Sequence, residues 1–446
     1  MLCPLDFRYG RPEMKAIFSE ERRLQRLLEV EVALAEAHMA LGNIPRDAAK
    51  AIASAVQGGL VKAERVAELE AEIRHDVMAL VLALSEASGD YGRYVHLGAT
   101  SSDIVDTAVA LQFKEALPLL DAGLLRLQAA LVNLALEHKG TVMVGRTHGQ
   151  AAVPITFGMK MAVFALEVHR HLARLREATP RMLVGKMSGA VGTGAGFGEA
   201  ATELQDLVMA MLGLTGEEAS TQIIGRDRYA EYVAVLAGIA ASLERFATEI
   251  RNLQRTEIGE VAEAFGEKQV GSSTMGQKEN PITSENISSL ARVVRGFVGP
   301  AYENVVLWHE RDLSNSAAER FILPHVTVLV DDIVHKAAEV FETLRVRPER
   351  MEENLRATGG LVMTEAVMMA LARKGIDRQE AHELTRRLSR TAKAEARPLR
   401  EVLLEEESVA STLGEEGVDK ALDPRNYLGA SEAVVDRVAA LTKETA

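Results

Sequence analysis

Apolar residues recur at helical spacing along most of the chain. Leu24, Leu27, Leu28, Leu34 and Leu41 mark one face of a first amphipathic helix. Ser19 can cap it, Glu20 and Glu21 sit where the helix dipole favours acids, and Gly42 can end it. The same period predicts a helix over 63–84, another from Asp103 towards Ala116, and a further one that Pro118 starts and that runs to about His138. Helices are then predicted over 156–178, 200–212, 229–253, 284–298 and 317–344. Several of these are long, and the short glycine-bearing links between them point to an elongated bundle. After 346–353 the pattern changes to shorter, more charged helices over 364–374, 377–394, 399–406 and 432–442. No convincing alternating strand is found. The expected fold is all-α, with an N-terminal helical segment over 1–102, a central long-helix bundle over 103–350 and a C-terminal helical segment over 351–446. The first boundary falls in the turn over 98–103.

Composition narrows the picture. Hydrophobic residues make up 47% of the 446 and aromatics only 4%, so the core must come from aliphatic side chains, most of them good helix formers. Lys plus Arg is 51 and Asp plus Glu is 64, a net charge of −13. Such a chain is a poor general binder of nucleic acid or membrane surfaces. Its single cysteine, Cys3, allows no intrachain disulfide and no cysteine-based metal site. No leader peptide and no transmembrane span are expected, and the chain reads as cytoplasmic.

Four polar segments interrupt the helical pattern. The run Gly271-Ser272-Ser273-Thr274-Met275-Gly276-Gln277-Lys278-Glu279-Asn280-Pro281 is glycine-rich and precedes a capped helix. It reads as a mobile loop or, more plainly, as solvated surface. Gly145-Arg146-Thr147-His148-Gly149-Gln150 sets a histidine in a glycine-flanked break, a plausible place for acid–base work. His75-Asp76 and the later run His96 to Asp103 form the third segment. On a continuous helix His75 lies roughly 200° from Ile73, opposite the main apolar stripe. Thr100-Ser101-Ser102-Asp103 can equally be a helix cap. In the fourth, Trp308 to Arg320, Ser316 and Arg320 stand four apart on one helix face and Arg311 precedes them. Arginine with a hydroxyl makes a good phosphate clamp, though a salt-bridged surface helix has the same pattern.

Taken in order, these segments resemble the fumarase/aspartase superfamily. Residues 271–280 match its GSSxMPxKxN loop except at Gly276, where the family has proline. That exchange removes a rigid turn element. Further tags are Phe7-Arg8-Tyr9, Arg74-His75-Asp76-Val77, Ser188 to Thr193, Thr221-Gln222, Arg226-Asp227 and Asp423 to Gly429. They resemble most closely the branch whose substrate is a succinylated purine nucleotide. The sister branch that cleaves argininosuccinate, other superfamily enzymes and an inactive crystallin-like relative are the alternatives. Gln277 leans towards the sister branch, whereas Arg311, Ser316 and Arg320 point to a phosphate.

The resemblance implies a three-domain helical fold and a homotetramer with active sites shared between subunits. It implies a β-elimination that releases fumarate without metal or organic cofactor. Ser272 is then the base, His148 the general acid and Glu285 its carboxylate partner. Lys278 and Asn280 meet the succinyl carboxylates. Ser101, Ser102, Asp103, Thr147 and Gln222 line the site, and His75 contacts or orients the phosphoribosyl end. Arg8, Tyr9, Arg311, Ser316 and Arg320 hold the nucleotide and its phosphate.

Overall fold

A computed structural model of the chain describes residues 2–266, 271 and 274–443. The fold is all-α in its main elements. Ser19 Oγ accepts the Arg22 N–H at 3.2 Å and opens the helix Glu20–Ala40, as its sequence implies. The long helices are Ser101–Glu137, Phe157–Met182, Asp227–Leu253 and Ser316–Glu342, with Ile282–Gly296 between the last two.

Two helix boundaries differ from the sequence expectation. The helix expected over 63–84 is two, Ala63–Ile73 and Asp76–Ala87. Arg74 turns left-handed (φ 58°) to end the first, and His75 is the N-cap of the second. No glycine marks this break, so periodicity ran straight through it. Conversely, Pro118 lies inside the unbroken helix Ser101–Glu137. A proline removes one backbone hydrogen bond and crowds the preceding turn. Here Phe113, Ala116, Leu117, Leu120 and Leu124 are all buried around it, and packing carries the helix through. An 18-residue window of this helix is long and apolar enough to cross a bilayer, yet 56% of it is buried within the chain, as in a core helix.

A β-hairpin also departs from expectation. Strands β1 (Val142–Thr147) and β2 (Gln150–Thr156) pair antiparallel from Val142↔Thr156 to Thr147↔Gln150. The register shifts between Val144 and Arg146, at Gly145. A Cβ there would stand 2.3 Å from the Val153 carbonyl, so the bulge requires glycine. The bulge and Pro154 break the alternation by which strands are read from sequence.

The described residues form two compact units. The first comprises 1–123, 171–241 and 289–334. Its core gathers Leu34, Ile52, Leu80, Leu84, Ile104 and Leu204, with Phe113 and Tyr232 packed at 4.7 Å between ring centroids. The second comprises 124–170, 242–288 and 335–446. There Phe164 stacks on Phe246 at 4.2 Å, and Val367, Leu371, Leu388, Leu403 and Val418 form a separate C-terminal core.

Candidate active site

In the second unit the hairpin presents His148. Its two-residue loop is His148-Gly149, with φ of 54° and 73°. Such a loop needs positive φ at both positions. Glycine meets this freely, whereas a histidine there is strained by about 1–2 kcal/mol. Strain of this kind collects where a side chain must be displayed. Thr147, His148 and Gln150 are all exposed. Below the turn, Arg146 grips the fully buried Glu260 carboxylate with Nη1 at 2.9 Å and Nη2 at 2.7 Å, and Asn354 Nδ2 donates to the same carboxylate at 2.8 Å.

The polar loop contributes Lys278 and Asn280 to the same unit. Ser272 lies outside the described residues. Gly271 backs onto the Lys278 carbonyl so closely that a Cβ would stand 1.8 Å away, which explains the glycine. Asn280 Nδ2 donates to the Gly271 carbonyl at 2.8 Å. Lys278 is exposed. Glu285 occupies the first turn of Ile282–Gly296 with its side chain exposed. The expected His148–Glu285 pair is not made within the chain: among the described residues no hydrogen bond joins them. One sits on a hairpin tip, the other on a helix start, and both face outward.

In the first unit, His75 is not the mid-helix residue that the wheel assumed. Its Nδ1 accepts the Met78 N–H at 3.2 Å. The accepting nitrogen carries no proton, so Nε2 is the one left to donate outward. Asp76, next to it, takes Arg320 Nη2 at 2.7 Å. Burial pushes the Asp76 carboxyl up, but the Val77 N–H and the Arg320 and Arg23 charges outweigh it and hold the group below its usual range.

The run 308–320 is organised by Asp312. Its carboxylate accepts the Ser314 hydroxyl at 2.5 Å and the Ser314 and Trp308 N–H groups at 2.7 Å. These donors, the hydroxyl first, hold it below the ordinary carboxylate range. The closed turn lets Arg311 Nη1 donate to Gln222 Oε1 at 2.8 Å, while Gln222 Nε2 donates to the Ala190 carbonyl at 2.9 Å. Ser316 begins the Ser316–Glu342 helix and Arg320 follows one turn on. Arg8 is exposed and Tyr9 half-buried, on a turn closed by their N–H groups on the Pro4 carbonyl.

Ser101 is half-buried and Ser102 buried in the first turn of Ser101–Glu137. Asp103 is wholly buried. Its carboxylate pairs with Lys186 and accepts the Thr100, Ser188 and Gly189 N–H groups, so it binds the Ser188-Gly189 turn to this helix start. His96 donates from Nδ1 to Glu31 at 2.7 Å. Burial lowers the basicity of its imidazole, but the Glu31 bond and charge, with the Asp103 charge, raise it overall.

Residues that sequence reasoning did not single out include Lys186, Glu260, Glu263, Gln254, Arg345 and Asp106. Asp106 holds the buried Arg226 through both carboxylate oxygens, at 2.8 and 2.9 Å. A charge in an apolar helical stretch, such as Asp103 and Asp106 beside Ile104 and Ala108, is the signal that could have found that pair.

Comparison with known proteins adds the following. The family described as Lyase matches residues 6–296, and the one described as Adenylosuccinate lyase C-terminus matches 360–438. The adenylosuccinate lyase of Pyrococcus abyssi is 51% identical over 441 residues, covering 99% of this chain and 98% of that one. Among solved structures, a fumarate lyase from Mesorhizobium sp. BNC1 superposes with a TM-score of 0.90 at 37% identity, covering 97% of this chain and 98% of its own. The 3-carboxy-cis,cis-muconate lactonizing enzyme from Pseudomonas putida superposes at 0.91, also at 37% identity, covering 99% of each.

Proposed function

Because the chain belongs to the adenylosuccinate lyases of the fumarase/aspartase superfamily, we propose the following division of labour among its residues. The reaction is β-elimination of fumarate from adenylosuccinate, giving AMP, and from succinylaminoimidazole-carboxamide ribotide in purine biosynthesis. A base takes a proton from the carbon next to one carboxylate, the C–N bond breaks, and the departing nitrogen takes a proton. The intermediate carries an aci-carboxylate dianion, which needs cationic and N–H partners.

His148 is the acid that protonates the departing nitrogen. The observation that carries this role is its display on a strained turn that glycine would fill at lower cost. Ser272 is the base by its motif, and Lys278 of the same motif would stabilise its alkoxide. Lys278 and Asn280 hold the succinyl carboxylates. Arg311, Ser316 and Arg320, with Arg8 and Tyr9, hold the nucleotide and phosphate. His75 donates from Nε2 to the phosphoribosyl end. Ser101, Ser102, Thr147, Gln222 and Asp103 belong to the site, Asp103 from a buried position tied to the Thr100 N–H and the Ser188-Gly189 turn.

The working form is a homotetramer with sites shared between copies, each chain reading as segments 1–102, 103–350 and 351–446. Val306, Trp308, Leu313 and Phe321 are large, apolar and exposed around the Arg311 turn, which supports a covering copy. Glu285 would then meet a His148 from another copy. Light scattering that finds only monomers would remove this assembly. The protein is assigned to the cytoplasm, where a charged nucleotide that does not cross bilayers is held; cell fractionation tests this.

The deciding experiment is fumarate release by the purified protein from adenylosuccinate and from argininosuccinate, with lactone formation from 3-carboxy-cis,cis-muconate followed in parallel. Turnover of adenylosuccinate alone supports the phosphate-clamp roles. Turnover of another substrate in its place would overturn them.

A further inference from the structure

Three residues with no assigned chemistry bridge the stem of the segment that carries Lys278 and Asn280. Gln254 spans it by itself. Its Oε1 accepts the Glu263 N–H at 2.9 Å, and its Nε2 donates to the Glu279 carbonyl at 3.1 Å. Arg345 makes the same span from another strand. Its Nε and Nη2 donate to the Glu263 carbonyl at 3.0 and 2.8 Å, and Nη2 also pairs with the Glu279 carboxylate. Glu263, itself buried, completes the set. Its carboxylate accepts the Thr283 N–H at 3.1 Å, the Ser284 N–H at 2.7 Å and the Ser284 hydroxyl at 2.5 Å. It thereby caps the helix start that bears Glu285.

A short strand pair supports this bridge. Val261-Ala262 pairs antiparallel with Arg345-Val346, and the Arg347 N–H donates to the Glu260 carbonyl at 3.0 Å. Glu260 opens this short extended stretch and Glu263 closes it. The first seats Arg146 below the His148 turn, and the second seats the Asn280–Glu285 stretch.

We infer that Gln254, Glu263 and Arg345 are positioning residues for the elimination, a clamp that sets Lys278 and Asn280 against the same 260–263 stretch that carries the His148 hairpin. This rests on the roles proposed above for those three groups. Each bond of the clamp is individually modest, but a misplacement of about 1 Å at a reacting centre can cost ~10²-fold in rate.

Gln254 is polar and only half-buried, so it carries the test. Gln254→Ala is expected to lower kcat on adenylosuccinate about tenfold or more, with KM and the melting temperature little changed. Gln254→Glu keeps the acceptor for the Glu263 N–H and loses the donor to the Glu279 carbonyl. It is expected to be as slow as the alanine variant. Arg345→Ala should behave likewise, and product AMP is expected to inhibit all three to the same degree as the parent. A kcat within twofold of the parent in Gln254→Ala, a Gln254→Glu variant of parent activity, or a kcat loss matched by a loss of folded protein would each overturn the clamp. Lys278→Ala serves as the reference. If it keeps full activity, the role of Lys278 falls, independently of what the Gln254 variants do.

Discussion

Arg146 and Glu260 form a two-bonded ion pair, at 2.7 and 2.9 Å, two residues before the turn that displays His148. The Glu260 carboxylate is fully buried and the guanidinium partly so. Removing one partner of such a pair leaves a charge without compensation, at a cost of about 3–5 kcal/mol. Arg146→Ala should therefore lower the melting temperature clearly, and Arg146→Lys, which cannot make the two-pronged contact, should fall between. Thermal denaturation of the two variants checks this order. Equal stability of Arg146→Ala and the parent would show that the pair does not seat the hairpin.

His148 should separate activity from stability. With φ at 54°, replacement by glycine removes the left-handed strain of about 1–2 kcal/mol but adds chain entropy of similar order in the unfolded state. His148→Gly is thus expected to melt close to the parent and to lose most of kcat, by about 10²-fold or more as expected for a lost general acid. Retention of near-normal turnover would remove His148 from the chemistry.

The nucleotide end should respond in KM. Asp312 closes the turn over 308–314 that brings Arg311 to Gln222. Asp312→Ala is expected to raise KM for adenylosuccinate about tenfold, with kcat changed less. Arg320→Met should do the same by removing a phosphate partner directly. Steady-state kinetics on both variants settles it, and a loss confined to kcat would count against the phosphate-clamp role.

Acidity should tune stability through Asp331. Burial, against the opposing Arg11 charge, pushes its carboxyl up to about 6. Arg11 Nη1 reaches it at 3.1 Å. An unfolded aspartate titrates near 3.9, so the folded state binds the proton more tightly. The contribution of this group is fully present below about pH 4 and is lost as pH rises through about 6. Melting temperatures of the parent and Asp331→Asn compared from pH 4 to 8 should show the parent's relative stability falling across that window. A difference that does not vary with pH would contradict the shift.

Much of the helical fold was legible in the chain. Ser19 with Glu20 and Glu21 identified a helix start because capping is local, needing only a few neighbouring residues. The long helices followed because their apolar period repeats over many turns. The continuity at Pro118 was not legible, since it is decided by what packs around it, and the break at Arg74-His75 was not, since no glycine marks its left-handed turn. The hairpin was hidden by its own bulge at Gly145. Of the site, the motif order named His148, Lys278, Arg311 and Arg320, but not the groups that hold them. Gln254 and Glu263 stand nine residues apart, Arg345 lies 82 beyond Glu263, and none carries a pattern of its own.

By itself the sequence determined the helical class and the family, because periodicity, caps and motif tags act over short stretches. Only the tertiary structure decided that His148 stands on a left-handed turn and that Glu260 and Glu263 seat two candidate groups from one stretch. Those are matters of backbone direction and of long-range hydrogen bonds between buried groups. Neither is set by a residue's neighbours in the chain.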